Sequence, residues 1–271
     1  NISYARRKMV SVYNERFANS LKRYRNGQEG RYTYVNWGYN TIGVFQNQDQ
    51  INNWPVNIDG KGNTTLLPGD FIVEDVNGDG RIDSQDERPI AYQDNSSVAP
   101  QPIINGGLTL GFDWKGIDLS ADFSLAGGYA FTPNWETRWP FQNGRTLVRE
   151  TQFKNRWRHE DPFDPNSAWI PGDVPALRFT AREYVSWNRN LDYWTTNVVA
   201  FRLRSLEIGY TLPRKWLAAA RIQKVRFYVN TYNLFSIDNV KKYGVDPEIA
   251  DRNGMQYPQN RVVNIGANLT F

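Results

Sequence analysis

The densest run of potential metal-ligating side chains lies between Asp75 and Asp86. Asp75, Asn77, Asp79, Asp83 and Asp86 occupy positions 1, 3, 5, 9 and 12 of a twelve-residue segment, with Gly80 at position 6 and Arg81 at position 7. Calcium takes about six to eight hard oxygen ligands, and this spacing winds one chain around an ion, the position 7 ligand being a backbone carbonyl. The expectation is therefore a structural calcium site built from Asp75, Asn77, Asp79, Arg81, Asp83 and Asp86, with Ile82 packed inward. Position 12 is Asp, whose reach is shorter than that of the usual Glu, and Pro68, Gly69 and Pro89 leave no room for flanking helices. The same residues could instead form an Asx-rich turn that satisfies its own backbone. Either use stiffens a loop.

Other reactive side chains are sparse. His159 is the sole histidine and cysteine is absent, so a catalytic triad would rest on His159 alone, and disulfides, thiolate metal sites and cysteine nucleophiles are excluded. The acid pairs Asp161 with Asp164 and Asp246 with Glu248 could be glycosidase carboxylates, but Asp beside Pro is turn chemistry, and both pairs are expected to be solvated turns. Gly106-Gly107 lacks the strand, loop and helix of a phosphate cradle and suits a curved strand. Arg6-Arg7-Lys8 and Lys22-Arg23-Tyr24-Arg25 are expected to be charged loop or rim residues, with contact to anionic lipopolysaccharide as the alternative. Trp135, Trp139, Trp157, Trp169, Trp187 and Trp194 crowd one region, where they could stack on ligands or, as favoured here, pack a long loop around its own small core.

The elements that carry these residues are strands. Arg261 to Phe271 place Val263, Ile265, Ala267, Leu269 and Phe271 on one face and Asn264, Gly266, Asn268 and Thr270 on the other. Ile104 to Asp113 and Ile117 to Leu125 alternate in the same way around a very short turn, and Asp113, Asp118 and Asp122 lie on their polar face. Such charge is costly in a closed core and acceptable in a water-filled lumen. Ser205 to Tyr210 and Lys224 to Asn230 form a second pair, joined by the brief piece Pro213 to Arg221. The stretches from about Tyr129 to Ala200 and Ile237 to Asn260 read as long loops. Short turns at one end and long loops at the other are the asymmetry of an outer-membrane barrel.

Composition agrees with this class. Charged residues are 22% of the chain, hydrophobic ones 40% and aromatic ones 14%, which excludes a disordered acidic tail and a helical membrane protein. The ten Trp and fifteen Tyr suit a boundary between water and an apolar medium. No apolar run approaches the roughly 18 residues of a spanning helix, so any crossing uses strands. The net charge of +4 is spread over the chain, unlike a nucleic-acid footprint. Asn1 to Arg7 reads as strand rather than as a basic and apolar leader, and the expectation is that the sequence begins mid-protein.

Taken in order, Gly38-Tyr39-Asn40-Thr41-Ile42-Gly43-Val44-Phe45-Gln46-Asn47-Gln48, Pro68-Gly69-Asp70 leading into the Asp75 to Asp83 loop, Phe201 to Pro213, Tyr232-Asn233-Leu234-Phe235 and Gly244-Val245-Asp246-Pro247-Glu248 resemble the carboxyl-terminal portion of the SusC/RagA family of TonB-dependent outer-membrane transporters of Bacteroidetes. Phe271 resembles the family's barrel-assembly signal. The resemblance implies an all-β fold: a segment of an antiparallel transmembrane barrel of roughly 22 strands with long extracellular loops. It also implies a plug domain and earlier strands outside residues 1–271, a SusD-like surface lipoprotein over the barrel, energy from TonB through the plug, and oligosaccharides or peptides as cargo. The expected role is nutrient import without enzymatic chemistry. A secreted, soluble, calcium-stabilised β-domain that binds carbohydrate is the alternative.

Overall fold

The computed structural model describes residues 1–92, 101–142, 148–220, 222–248, 252–254, 257 and 259–271. Twelve strands follow one another along the described chain: β1 Ile2–Tyr4, β2 Val35–Gly38, β3 Thr41–Val44, β4 Phe71–Val73, β5 Arg88–Tyr92, β6 Ile104–Trp114, β7 Ile117–Phe131, β8 Arg158–His159, β9 Trp169–Ile170, β10 Thr196–Thr211, β11 Lys224–Asp238 and β12 Val262–Thr270. Six of them form one antiparallel sheet in the order β1-β6-β7-β10-β11-β12, open at both edges. The other six pair as the ribbons β2-β5, β3-β4 and β8-β9. No helix among the described residues is long and apolar enough to cross a membrane.

Local chemistry explains the large sheet. In β6 and β7 the alternation of Leu108, Leu110 and Phe112 with Thr109 and Gly111 sets the register Leu108 to Phe123, Leu110 to Ala121 and Phe112 to Leu119. Lys115 and Gly116 close this hairpin with φ of 50° and 85°, the two left-handed residues that a two-residue turn needs to match strand twist. Gly116 is required twice over, because a Cβ there would stand 2.7 Å from the Thr211 carbonyl of β10.

Several strand limits differ from the sequence expectation. β7 runs on to Phe131 and β10 starts at Thr196, both inside the stretch read as loop, because Thr196 to Ala200 find ladder partners in Ala126 to Phe131. Pairing supplied by the tertiary structure extends strands whose own alternation is broken, here by the bulges at Val198/Val199 and Leu203/Ser205. At the other end only Ile2–Tyr4 is strand, since Ala5 donates to Ile103 and the chain then leaves the sheet. The brief piece after β10 holds a helical turn, Arg214–Leu217.

A second body caps one end of the sheet. The residues between β1 and β6 and between β7 and β10 share a core of Phe45, Ile51, Ile58, Phe71, Val73, Trp187, Leu191 and Trp194. Trp187 is 0% exposed, stacks on Trp194 at 5.3 Å, and donates its indole N–H to the Ala176 carbonyl at 3.2 Å. The clustered tryptophans therefore chiefly pack a core, as a long insertion needs for order. Trp135 is half-exposed, 5.9 Å from Trp139, with the Arg182 guanidinium over both rings.

Candidate functional site

The two faces of the six-stranded sheet are chemically opposite. On one face Leu108, Leu110, Phe112, Trp114, Ile208, Phe227, Val229, Val263, Ile265 and Leu269 are exposed, Ile265 to 83% and Leu110 to 49%. Phe123 stacks on Phe201 at 5.3 Å, joining β7 to β10. A continuous apolar face of this size is a hazard in water and stable in hydrocarbon. Trp114, Tyr210 and Trp216 gather where β6, β10 and the Arg214–Leu217 turn end, and Lys115 Nζ lies 4.8 Å from the Trp114 ring centre, an arrangement suited to a membrane boundary.

The other face is a charged network. Arg226 of β11 pairs with Asp118 of β7, its Nε 3.0 Å from Oδ1, and with Glu207 of β10 at 2.7 Å. It crosses β10 at Gly209, where a Cβ would collide with the guanidinium at 2.3 Å. Asp122 accepts from Thr109 at 2.7 Å and Ser205 at 2.6 Å, and Asn264 donates to Asn230 at 2.9 Å. Asp118 and Asp122, which the alternation placed on a polar face, are thus tied across strands, and the face stays hydrophilic.

Higher on the same face, the bulge at Arg204 puts Arg202, Arg204 and Ser205 on one side. Arg202 is buried and donates to Asp246 at 2.6 Å and to Gln259, with Glu248 at 3.5 Å. Arg204 donates to Ser124 at 2.9 Å and to Glu248 at 2.5 Å. The connection after β11 therefore folds down onto the polar wall, with Val240 buried against Tyr129, Phe131 and Val198, and Pro247 accepting from the Tyr129 hydroxyl at 2.5 Å. Asp246 and Glu248 are partners of two arginines, which corrects their expected place in a solvated turn: a turn far away in sequence is brought onto β10. The missed signal is the pair Arg204-Ser205, two consecutive polar residues that interrupt the alternation of β10.

Of the remaining candidates, Asp161 and Asp164 form turns, each accepting from a backbone N–H two residues on at 2.9 Å. His159 Nδ1 lies 3.0 Å from the Ser167 carbonyl, and the ring sits against Trp169. Arg6 stacks over Tyr32 at 3.4 Å, and Lys22 and Arg23 belong to the exposed helix Ser20–Asn26.

In the acidic loop the spaced side chains accept hydrogen bonds from the loop's own backbone. Gly80 turns at φ 81° and Ile82 is buried. Asp75 accepts from Gly78 at 2.7 Å and Gly80 at 2.8 Å, Asn77 from Asp79 at 3.1 Å, Asp79 from Arg81 at 3.1 Å and Asp83 from Gln85 at 2.8 Å. Buried Asp86 closes the loop, accepting from Val76 at 3.0 Å and Asp83 at 2.8 Å. The hydrogen bond from the Asn77 side chain, followed by the Arg81 N–H and guanidinium, holds Asp79 below the usual carboxylate range. The donor set is all oxygen, and each carboxylate keeps lone pairs beyond those facing N–H groups, so its chemistry fits a hard cation. The side chains themselves do not converge: among the described residues no three acids or histidines stand together as metal ligands. The Arg81 guanidinium, 3.4 Å from both Asp79 and Asp83, supplies positive charge instead. Arg189 ties the loop to the cap by donating to the Ile82 carbonyl at 3.0 Å.

No protein-family model matches the chain. Among curated proteins it is similar to TonB-dependent receptor P3 of Formosa agariphila, 26% identical in an alignment over 256 residues that covers 87% of this chain and 22% of that protein. It is also similar to TonB-dependent receptor P39 of the same organism, 25% identical over 223 residues, 77% of this chain and 19% of that protein. The chain thus spans about a fifth of the length of these relatives. Among solved structures, the RagAB peptide importer in its open-open state superposes with a TM-score of 0.58 at 20% identity, over 99% of this chain and 26% of that one. The closed-closed state gives 0.53 at 22% identity, over 88% and 23%. The chain is thus similar over most of its length to a stretch of these TonB-dependent receptors and shares the fold of part of the RagAB importer, with a sheet greasy on one face and charged on the other.

Proposed function

We propose that this region forms part of the barrel wall and extracellular cap of an outer-membrane importer of large nutrients, oligosaccharides or peptides, and works with a SusD-like lipoprotein. The observation that carries the reading is the exposed apolar row on the sheet's outer face, backed by the Arg226, Asp118 and Glu207 network on its inner face. Open edges at β1 and β12 would cost several kcal/mol for each unpaired backbone group in lipid, so further strands must close the barrel. A plug domain inside those strands would receive energy from TonB. The wall's part is passage and binding, with no covalent step. The expected results are heat-modifiable migration of the intact transporter in detergent and loss of growth on oligomeric nutrient after its deletion. Recovery of the native protein in the soluble secreted fraction would overturn the reading in favour of a carbohydrate-binding β-domain.

The second part of the proposal is a structural calcium ion on Asp75, Asn77, Asp79, the Arg81 carbonyl, Asp83 and Asp86, supported by their spacing and oxygen chemistry. When bound, the ion would neutralise the loop's carboxylates and stiffen its junction with Arg189. Chelator treatment followed by limited proteolysis should expose residues 75–86; unchanged protection would leave a metal-free Asx loop.

A further inference from the structure

We infer that the cavity between the β7–β10 and β11–β12 connections binds a short peptide segment, whose carboxylate is held by Arg149 and Lys242. The inference rests on the importer reading and names the substrate class of one site within it. The cavity has a volume of about 420 Å³, and its lining includes Arg149, Gln152, Asp173, Tyr193, Lys242 and Tyr243.

The fold sets this cavity at the mouth of the polar wall. Tyr243 packs on Phe131 at 5.4 Å and its hydroxyl lies 3.2 Å from Thr196 Oγ1, and Phe131 and Thr196 are register partners at the outer ends of β7 and β10. A little further along the same connection Asp246 reaches Arg202 on the inner face. A solute moving down this wall passes the cavity first.

Its polar groups call for a ligand. Arg149 Nη1 is buried without a hydrogen-bond partner among the described residues. A guanidinium does not shed its proton in a protein, so a desolvated N–H without an acceptor is a standing cost that a bound carboxylate would remove. Lys242, near the Tyr243 ring, makes no ion pair among the described residues, and the exposed Asp173 carboxylate accepts no hydrogen bond there. The lining therefore has two cations and one anion around tyrosine rings. A peptide with a free carboxylate offers both signs of charge or N–H donors, together with apolar side chains for Tyr193 and Tyr243. An acidic glycan has no group to answer Asp173 except hydroxyls, and its negative charges would oppose it.

The test is calorimetry on the purified intact transporter with its partner lipoprotein in detergent. The probes are the tetrapeptide alanyl-leucyl-phenylalanyl-alanine as free acid, its carboxyl-terminal amide, and α-1,4-trigalacturonate. The free acid should bind, and the amide should bind about tenfold more weakly, the scale of one lost charge-assisted hydrogen bond. Arg149→Gln should weaken the free acid by about tenfold and narrow the difference between acid and amide to what Lys242 alone sustains. Arg149→Lys, which keeps the charge and loses the planar fork, should fall between. Equal binding of acid and amide, no response to either variant, tighter binding of trigalacturonate, or no binding of any probe would each overturn the assignment. Heat-modifiable migration, recorded for every protein, separates the two levels: its loss in the wild type removes the importer reading, whereas its retention without peptide binding removes only this site.

Discussion

Asp59 shows how a single side chain holds a loop of the cap. It accepts from the backbone of Lys61 at 2.7 Å, Asn63 at 2.8 Å and Thr65 at 2.9 Å, and from the Thr65 hydroxyl at 2.8 Å. Burial alone would raise its pKa, but the hydrogen bonds from Thr65, Lys61 and Asn63 together win and lower it. A carboxyl depressed in the folded state contributes stability that is complete above its unfolded pKa of about 3.9 and is lost as pH falls through the folded value. Amide protection factors across residues 59–65 of the intact transporter should therefore fall below about pH 4. Asp59→Asn should exchange faster at neutral pH and lack that acid step. Tyr39 illustrates the opposite sense: burial, then nearby Glu87, pushes its hydroxyl up to about 12.

At the scale of elements, the decisive contact joins the β11–β12 connection to β10. Arg202 is almost fully enclosed, and Asp246, Glu248 and Gln259 surround it. Breaking a buried ion pair from one side leaves the remaining charge unmatched, which typically costs about 3–5 kcal/mol. Arg202→Met should therefore release the segment around residues 239–248 from the wall, read as new protease cleavage there, while the barrel still migrates as a folded species. Cleavage unchanged from the wild type would mean that Val240 and the Tyr129 hydroxyl suffice to hold the connection. The Trp187 core behaves as a separate element, because its residues pack on β3, β4 and one another rather than on the six-stranded sheet.

For the whole molecule, the question is which medium each face of the sheet meets. If hydrocarbon covers the outer row, Ile265→Arg places a charge in it at a cost of about 2–4 kcal/mol near the midplane, less towards the boundary. Folding yield of the intact transporter in lipid vesicles should fall accordingly, whereas Asn268→Arg, on the inner face of the same strand, should have little effect. Equal effects would contradict the two-faced wall. The row containing Ile265 was legible in the sequence because strand side chains alternate with period two and one row was apolar throughout. The calcium-type spacing of 75–86 and the crowding of tryptophans were legible for the same reason: each is written within a short stretch of chain. The pairing of Arg202 with Asp246, Arg226 lying across Gly209 to Asp118, and the cavity that Arg149 shares with Lys242 were not, since they join residues that sequence separates and only strand register and chain return bring together. Local periodicity determined that this protein is made of two-faced strands; which charges meet on the inner face was decided by the tertiary structure, because a guanidinium finds its carboxylate through space rather than along the chain.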